Sequence, residues 1–129
     1  MINQEYDSFP LRKETELIIG IGFEIHNYLG GGFMENVYKD AFEYEFDTKK
    51  IDYTREKVYK IKYKDIFLRH NYFADFVVWD KVILEIKSKN EIPKEDLAQT
   101  INYLKCSGCK VALILNFRQA QLQFKRVIF

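Results

Sequence analysis

The sequence predicts a mixed α/β domain in which helices flank one central sheet. Three observations carry that prediction. Apolar residues recur at helical spacing in the first third of the chain, the pattern switches to period two near residue 57, and two nearly all-apolar segments follow that suit strands covered on both faces. The chain has 129 residues, a single-domain length. No repeat, low-complexity tract or Pro/Ser-rich linker divides it, so one domain is expected over residues 1–129.

Residues 1–10 read as a loosely held lead-in ending at Pro10. Leu17/Ile18, Ile21, Ile25 and Leu29 then mark a helix over about 12–29, stopped by Gly30-Gly31-Gly32. Gly20 and Gly22 lie inside it. Each costs about 1 kcal/mol relative to Ala, which predicts a close approach by another element at both. Phe33, Val37 and Ala41 continue at i, i+4, i+8 in a second helix over about 34–48, with Tyr38 and Phe42 widening its apolar face.

Lys57, Tyr59, Ile61 and Tyr63 next alternate with Val58, Lys60, Lys62 and Lys64. One face is aromatic and the other mostly basic, as in an edge strand whose lysines discourage aggregation. A turn near Lys64-Asp65 leads to strand segments near 66–69 and 72–79. A tight turn around Asp80-Lys81 precedes the strand from Val82. Phe73 to Trp79 and Val82 to Ile86 are apolar on both faces, the pattern of central strands. Pro93 opens a third helix with Leu97, Ile101 and Leu104 as its buried stripe, and Gly108 ends it. Val111 to Phe117 is a buried strand, and residues 122–128 alternate as a last one. The order is α-α-β-β-β-α-β-β.

Composition excludes several classes. With 47% hydrophobic residues, 2 Pro and 6 Gly, the chain is neither disordered nor fibrous. Two cysteines are too few for a disulfide scaffold. They form Cys106-x-x-Cys109, which lacks the second ligand pair of a zinc ribbon. The pair also sits at a helix C-terminus, where the dipole raises a thiol pKa, so it reads as incidental. The first fifteen residues are polar and acidic, so no signal peptide is expected, and no apolar run reaches the roughly 20 residues of a membrane helix. A cytoplasmic protein with no membrane partner is expected.

The net charge of +1 hides segregation. Residues 1–48 carry a net −7, residues 49–69 a net +5 and residues 70–129 a net +3. Solvated faces account for such a pattern, and so does a basic side that meets a phosphate backbone.

The central hairpin holds the residues that carry chemistry. Asp75 lies among Phe73, Ala74, Phe76, Val77 and Val78, and Glu85 and Lys87 sit two apart in the next strand, on one face. Ionisable groups in apolar strands are costly unless paired or metal-bound. A two-residue turn at Asp80-Lys81 would place Asp75 opposite Ile86, on the wrong face. A three-residue turn that pairs Val78 with Val82, or an equivalent bulge, places Asp75 opposite Glu85, so a shared site for these carboxylates predicts an odd-length turn. Two carboxylates beside a lysine suit a hard divalent cation such as Mg²⁺, which prefers oxygen ligands and keeps several waters.

Asp75 followed by Glu85-Ile86-Lys87 resembles the Asp…Glu-x-Lys signature of the PD-(D/E)XK nuclease superfamily, and the strand order resembles its restriction-endonuclease-like αβββαβ core. A closer resemblance is to the proteins named for the motif GxxExxY, which reads here Gly32-Phe33-Met34-Glu35-Asn36-Val37-Tyr38. It extends through Glu24-Ile25-His26, Phe73-Ala74-Asp75, Val82 to Lys87, Gln99-x-x-Asn102-Tyr103-Leu104-Lys105, Leu113 to Phe117 and Lys125-Arg126-Val127. Gly31 stands where that family commonly has proline. The resemblance implies a Mg²⁺- or Mn²⁺-dependent nuclease that hydrolyses phosphodiester bonds with a metal-activated water. Asp75 and Glu85 would hold the metal with the carbonyl of Ile86, Lys87 would position or activate the water, Glu35 would add an acidic group, and Gln99 would line the site. The superfamily also contains non-catalytic members, so a nucleic-acid- or protein-binding module is the alternative.

Around this core, Glu24 and His26 are two apart on a helix and point to different sides, so His26 reads as structural, and His70 as a surface residue. Gln99 shares a helical face with Asn102 and Tyr103, and Lys105 extends it. Lys89, Lys105, Lys125 and Arg126, with Lys60, Lys62 and Lys64, are candidates for phosphate contacts. Nucleic acid is the expected partner, DNA ahead of RNA. The 21 aromatic residues leave apolar material for a homodimer interface.

Overall fold

The structure is a computed structural model that describes residues 9–129. The expected lead-in over residues 1–10 lies outside the described residues up to residue 8. Two helices come first, α1 (Arg12–Leu29) and α2 (Glu35–Thr48). Strands β1 (Tyr53–Tyr63), β2 (Ile66–Val78) and β3 (Val82–Lys87) follow, then α3 (Lys94–Ser107), β4 (Val111–Asn116) and β5 (Gln123–Ile128). The predicted element order holds. The two segments expected near 66–69 and 72–79 are one strand.

The five strands stand in chain order in one mixed sheet. Neighbours are antiparallel except β3 and β4, which run parallel with Glu85 beside Ile114 and Lys87 beside Asn116. A parallel pair needs a crossover, and α3 supplies it. The helices lie on opposite faces of the sheet. On the α1/α2 side, Ile18, Ile25, Tyr38, Phe42 and Phe46 meet Phe76, Leu84, Ile86, Leu113 and Phe117. On the α3 side, Leu104 meets Tyr72, Ala74, Val77, Ile83, Ala112 and Ile114.

Some faces differ from the sequence pattern. The buried residues of α2 are Tyr38, Lys39, Phe42 and Phe46; Tyr38 and Phe42 belong to the expected apolar face and Ala41 packs half-buried beside them, whereas the expected Val37 lies outside it. Val37 is exposed because the larger rings beside it take the interior, and Phe33, which precedes the helix, is exposed too. In α1, a Cβ on Gly22 would meet Leu115 at 2.5 Å, the predicted close approach. Gly20 faces open space, so the expectation fails there. Phe73 is 53% exposed. The segment from Phe73 was expected to be covered on both sides, but on the α1/α2 side the cover reaches β2 only from Phe76 onward.

The β2–β3 turn has the predicted odd length. Val78 pairs with Val82 and Trp79-Asp80-Lys81 form the loop, closed by the Lys81 N–H donating to the Val78 carbonyl at 3.0 Å. Trp79 and Asp80 are both left-handed, at φ 53° and 59°.

Candidate active site

Asp75 sits where the regular alternation of β2 breaks. Residues two apart on a strand share a face, yet Ala74 buries toward α3 and Phe76 toward α1 and α2. The facing strand breaks at the same level. Pairing runs from Arg55↔Phe76 to Lys57↔Ala74 and skips Glu56 and Asp75, and Glu56 is left-handed at φ 55°. Tyr53 and Tyr59, six apart, accordingly pack into opposite cores. Ladder pairing between β2 and β3 ends at Phe76↔Leu84. Beyond it a side chain replaces the backbone: the Ile86 N–H donates to Asp75 Oδ2 at 2.8 Å.

The kink lets Asp75 meet groups from both sides of the sheet while its side chain stays only 13% exposed. From α2, the Lys39 ammonium reaches Asp75 Oδ1 at 2.8 Å and Glu56 Oε1 at 3.5 Å. Burial pulls the Lys39 pKa down, but its hydrogen bond to Asp75 and the charges of Asp75, Glu56 and Glu35 outweigh burial and leave it raised. From the α3 side comes Glu85, only 5% exposed. Burial first, and then the charge of Asp75, push its carboxyl up to about 8, against the opposing pull of Tyr72 and Lys87. The Tyr72 hydroxyl donates to Glu85 Oε1. Its ring stacks on Tyr103 with centroids 3.3 Å apart. Burial and the neighbouring Glu85 hold the Tyr72 hydroxyl well above its usual range.

Asp75, Glu85 and Lys87 are therefore neighbours at the point where β2 and β3 part. Gln99 is exposed on α3 and approaches through Tyr103, whose pKa burial raises and whose hydrogen bond to Gln99 lowers it. Glu35 stands at the start of α2 with its carboxylate accepting from the Ser88 N–H at 3.2 Å, just past the end of β3. Among the described residues no group of three or more His, Cys, Asp or Glu side chains is placed to hold a metal ion, so Glu35 does not close a three-carboxylate cluster with Asp75 and Glu85. Two carboxylates and a backbone carbonyl are still hard-oxygen donors that suit a magnesium-like cation completed by water and substrate phosphate. The raised Glu85 pKa marks a carboxylate pair that a divalent charge would relieve.

The basic candidates disperse. Lys89 pairs with Asp96 at 2.8 Å, and Asn116 brackets its backbone, accepting from its N–H at 2.9 Å and donating to its carbonyl at 2.8 Å. Lys105 lies over Phe129 at the end of α3, and Arg126 over Phe124 on β5 beside Lys125. His26 is structural as expected, its Nε2 2.9 Å from the Gln119 carbonyl. His70 is exposed, and both cysteines are free thiols. Lys39 and Tyr72 escaped the sequence reading. Lys39 follows Glu35 by one helical turn, and that spacing is a signal for it. Tyr72 had none, because a regular strand would point residues 72 and 75 to opposite faces.

The model of the PD-(D/E)XK nuclease superfamily matches residues 12–127. The chain belongs to that superfamily. Its helix-flanked mixed sheet is the restriction-endonuclease-like α/β fold. The solved structure of SSO0001 is similar at a TM-score of 0.58 and 11% identity, over 72% of this chain. The chain spans 48% of that structure's length. An alkaline exonuclease from Laribacter hongkongensis aligns at a TM-score of 0.45 and 13% identity, over 94% of this chain and 71% of its own. No curated protein matches the chain. Among the described residues no helix is long and apolar enough to cross a membrane.

Proposed function

We propose that this superfamily member is a divalent-cation-dependent nuclease that hydrolyses phosphodiester bonds, with Mg²⁺ or Mn²⁺ as the ion and DNA ahead of RNA as substrate. The observation that carries the reading is that Asp75 and Glu85 meet at the kink of β2, with Lys87 on the same face of β3 and near enough to pull the Glu85 pKa down. Asp75 and Glu85 would hold the cation with the Ile86 carbonyl. The cation, when bound, supplies positive charge to the phosphate and makes a water more acidic. Ile86 N–H and Tyr72 hydroxyl fix the two carboxylates from outside, so little reorganisation is needed during reaction. Lys87 extends from the same strand and offsets charge on the phosphorane oxygens. Gln99 lines the rim through Tyr103, and Lys89, Lys105, Lys125 and Arg126 are outlying phosphate contacts.

We also read the chain as a GxxExxY protein. The motif's interactions support this. Tyr38 donates to the Gly30 carbonyl at 2.7 Å and accepts from the Phe33 N–H at 3.1 Å, so it closes the glycine loop. Glu35 ties the start of α2 to the exit of β3. Gly31 fits a gap bounded by the carbonyls of Phe117, Arg118 and Gln119, within 2.9 Å of where a Cβ would stand.

One observation favours a second reading, in which the chain binds nucleic acid without turnover. Lys39 already places a positive charge on Asp75. Incubation with DNA and RNA in Mg²⁺ or Mn²⁺, beside Asp75→Ala and Lys87→Ala, separates the two. Metal-dependent cleavage lost in both variants supports the nuclease, and binding with no cleavage in any sample supports the second reading.

A further inference from the structure

The hairpin of β1 and β2 runs beyond the rest of the sheet. β3 pairs with β2 only from Val78 to Phe76, whereas β1 pairs with it out to Tyr63↔Ile66. One face of this extension is covered, since Tyr59 and Tyr72 pack into the α3-side core. The other face is open. Cross-strand partners share a face, which groups Val58 with Phe73, Lys60 with Asn71 and Lys62 with Phe67. All six are exposed, Phe67 to 61% and Phe73 to 53%. Three β2 residues, Leu68 to His70, stand opposite the single Ile61, a bulge that turns the outer end of the ribbon.

We propose that this open face is a platform for single-stranded nucleic acid, leading it toward Asp75, two residues beyond Phe73, from the side on which Lys39 reaches that carboxylate; the delivery, though not the binding, rests on the nuclease reading. Exposed rings interleaved with lysines suit unpaired bases, whose flat faces stack on Phe and whose phosphates meet Lys. A duplex keeps its base faces inside its own stack and offers Phe67 and Phe73 nothing to cover them. The charge fits the same occupant. Among the described residues no carboxylate pairs with Lys60, Lys62, Lys64 or Arg69, and Asp65 is the only acid between Lys57 and His70. Lys60 instead lies 5.6 Å over the Phe67 ring, where a stacking base would displace it toward phosphate. A second copy of the chain fits worse, because a two-fold contact would set these lysine rows against each other.

The experiment is fluorescence anisotropy in EDTA, with a labelled oligothymidylate of roughly a dozen nucleotides and a duplex of equal length. The wild type is expected to prefer the single strand. Phe67→Ala and Phe73→Ala are each expected to weaken that binding roughly 5- to 100-fold, while Phe67→Tyr retains it. Lys60→Ala and Lys62→Ala should each reduce the log–log salt slope by about 0.7. Thermal melting confirms that the exposed-site variants are folded. Unchanged single-strand affinity in both Phe variants, a wild-type preference for duplex, or a dimer that the Phe variants convert to monomer would overturn the proposal. Binding that follows these rules in a protein that never cleaves would reject the nuclease reading and leave the platform standing.

Discussion

The Lys39 ammonium lies 2.8 Å from Asp75 Oδ1, and the two side chains are 11% and 13% exposed. A cation built into α2 thus neutralises the carboxylate that the kink of β2 presents. Glu56, 3.5 Å from the same ammonium, offers it a second partner.

Removing that charge while keeping the bulk has two expected effects. Lys39→Met should lower the stability of metal-free protein by about 3 kcal/mol, since a buried carboxylate loses its ion partner. It should also tighten Mn²⁺ binding, because the competitor for Asp75 is gone. Calorimetric titration and melting in EDTA check both effects, and weaker Mn²⁺ binding in the variant would contradict this role for Lys39.

Cleavage should depend on the site residues. Asp75→Ala or Lys87→Ala is expected to reduce metal-dependent cleavage by at least roughly 100-fold, the scale of losing a group that stabilises transition-state charge. Time courses on end-labelled substrates measure it. Full activity in both variants would end the nuclease mechanism.

Glu85 should make metal-free stability fall as pH rises. Its carboxyl shifts from 4.5 to about 8 on folding, so the folded state binds the extra proton. Its contribution is complete below pH 4.5 and is lost progressively up to about pH 8, at no more than about 1.4 kcal/mol per pH unit. Denaturant midpoints across that range should fall less steeply in Glu85→Gln, and also in wild type with saturating Mg²⁺. An equal slope in Glu85→Gln would locate the dependence elsewhere.

Three glycines should respond oppositely to alanine. Gly20→Ala meets open space inside α1 and should gain about 1 kcal/mol of stability. Gly22→Ala forces Leu115 and Leu122 to shift, and Gly31→Ala presses on three backbone carbonyls. Both should lose roughly 1–3 kcal/mol, with Gly31 the worse because backbone yields less than a leucine methyl. Urea unfolding of the three variants tests the order.

Much of this was legible in the chain. Helix and strand follow from the spacing of apolar residues over one or two turns, which is local. The odd turn after Val78 follows from parity once Asp75 and Glu85 are required to share a face, although a bulge would have met the same requirement. Other features were out of reach. The stripe of α2 centres on Tyr38 and Phe42, which the spacing included, but it leaves Val37 outside and takes in Lys39, a choice made by what lies opposite. The apolar run from Phe73 to Trp79 predicts a covered strand, and the exposure of Phe73 depends on where the helices stop.

The sequence by itself determined the order of elements and placed Asp75 on one strand with Glu85 and Lys87 on the next, because both rest on period and spacing within a short stretch. Tertiary structure decided what surrounds that set. The left-handed Glu56 in β1 and the broken alternation at Asp75 open the sheet to both faces. Lys39 then arrives from α2 and Tyr72 meets Glu85 from the other side. These contacts join residues 13 to 36 positions apart. Packing between elements sets them, since no periodicity within one segment encodes which side chain of another will reach it.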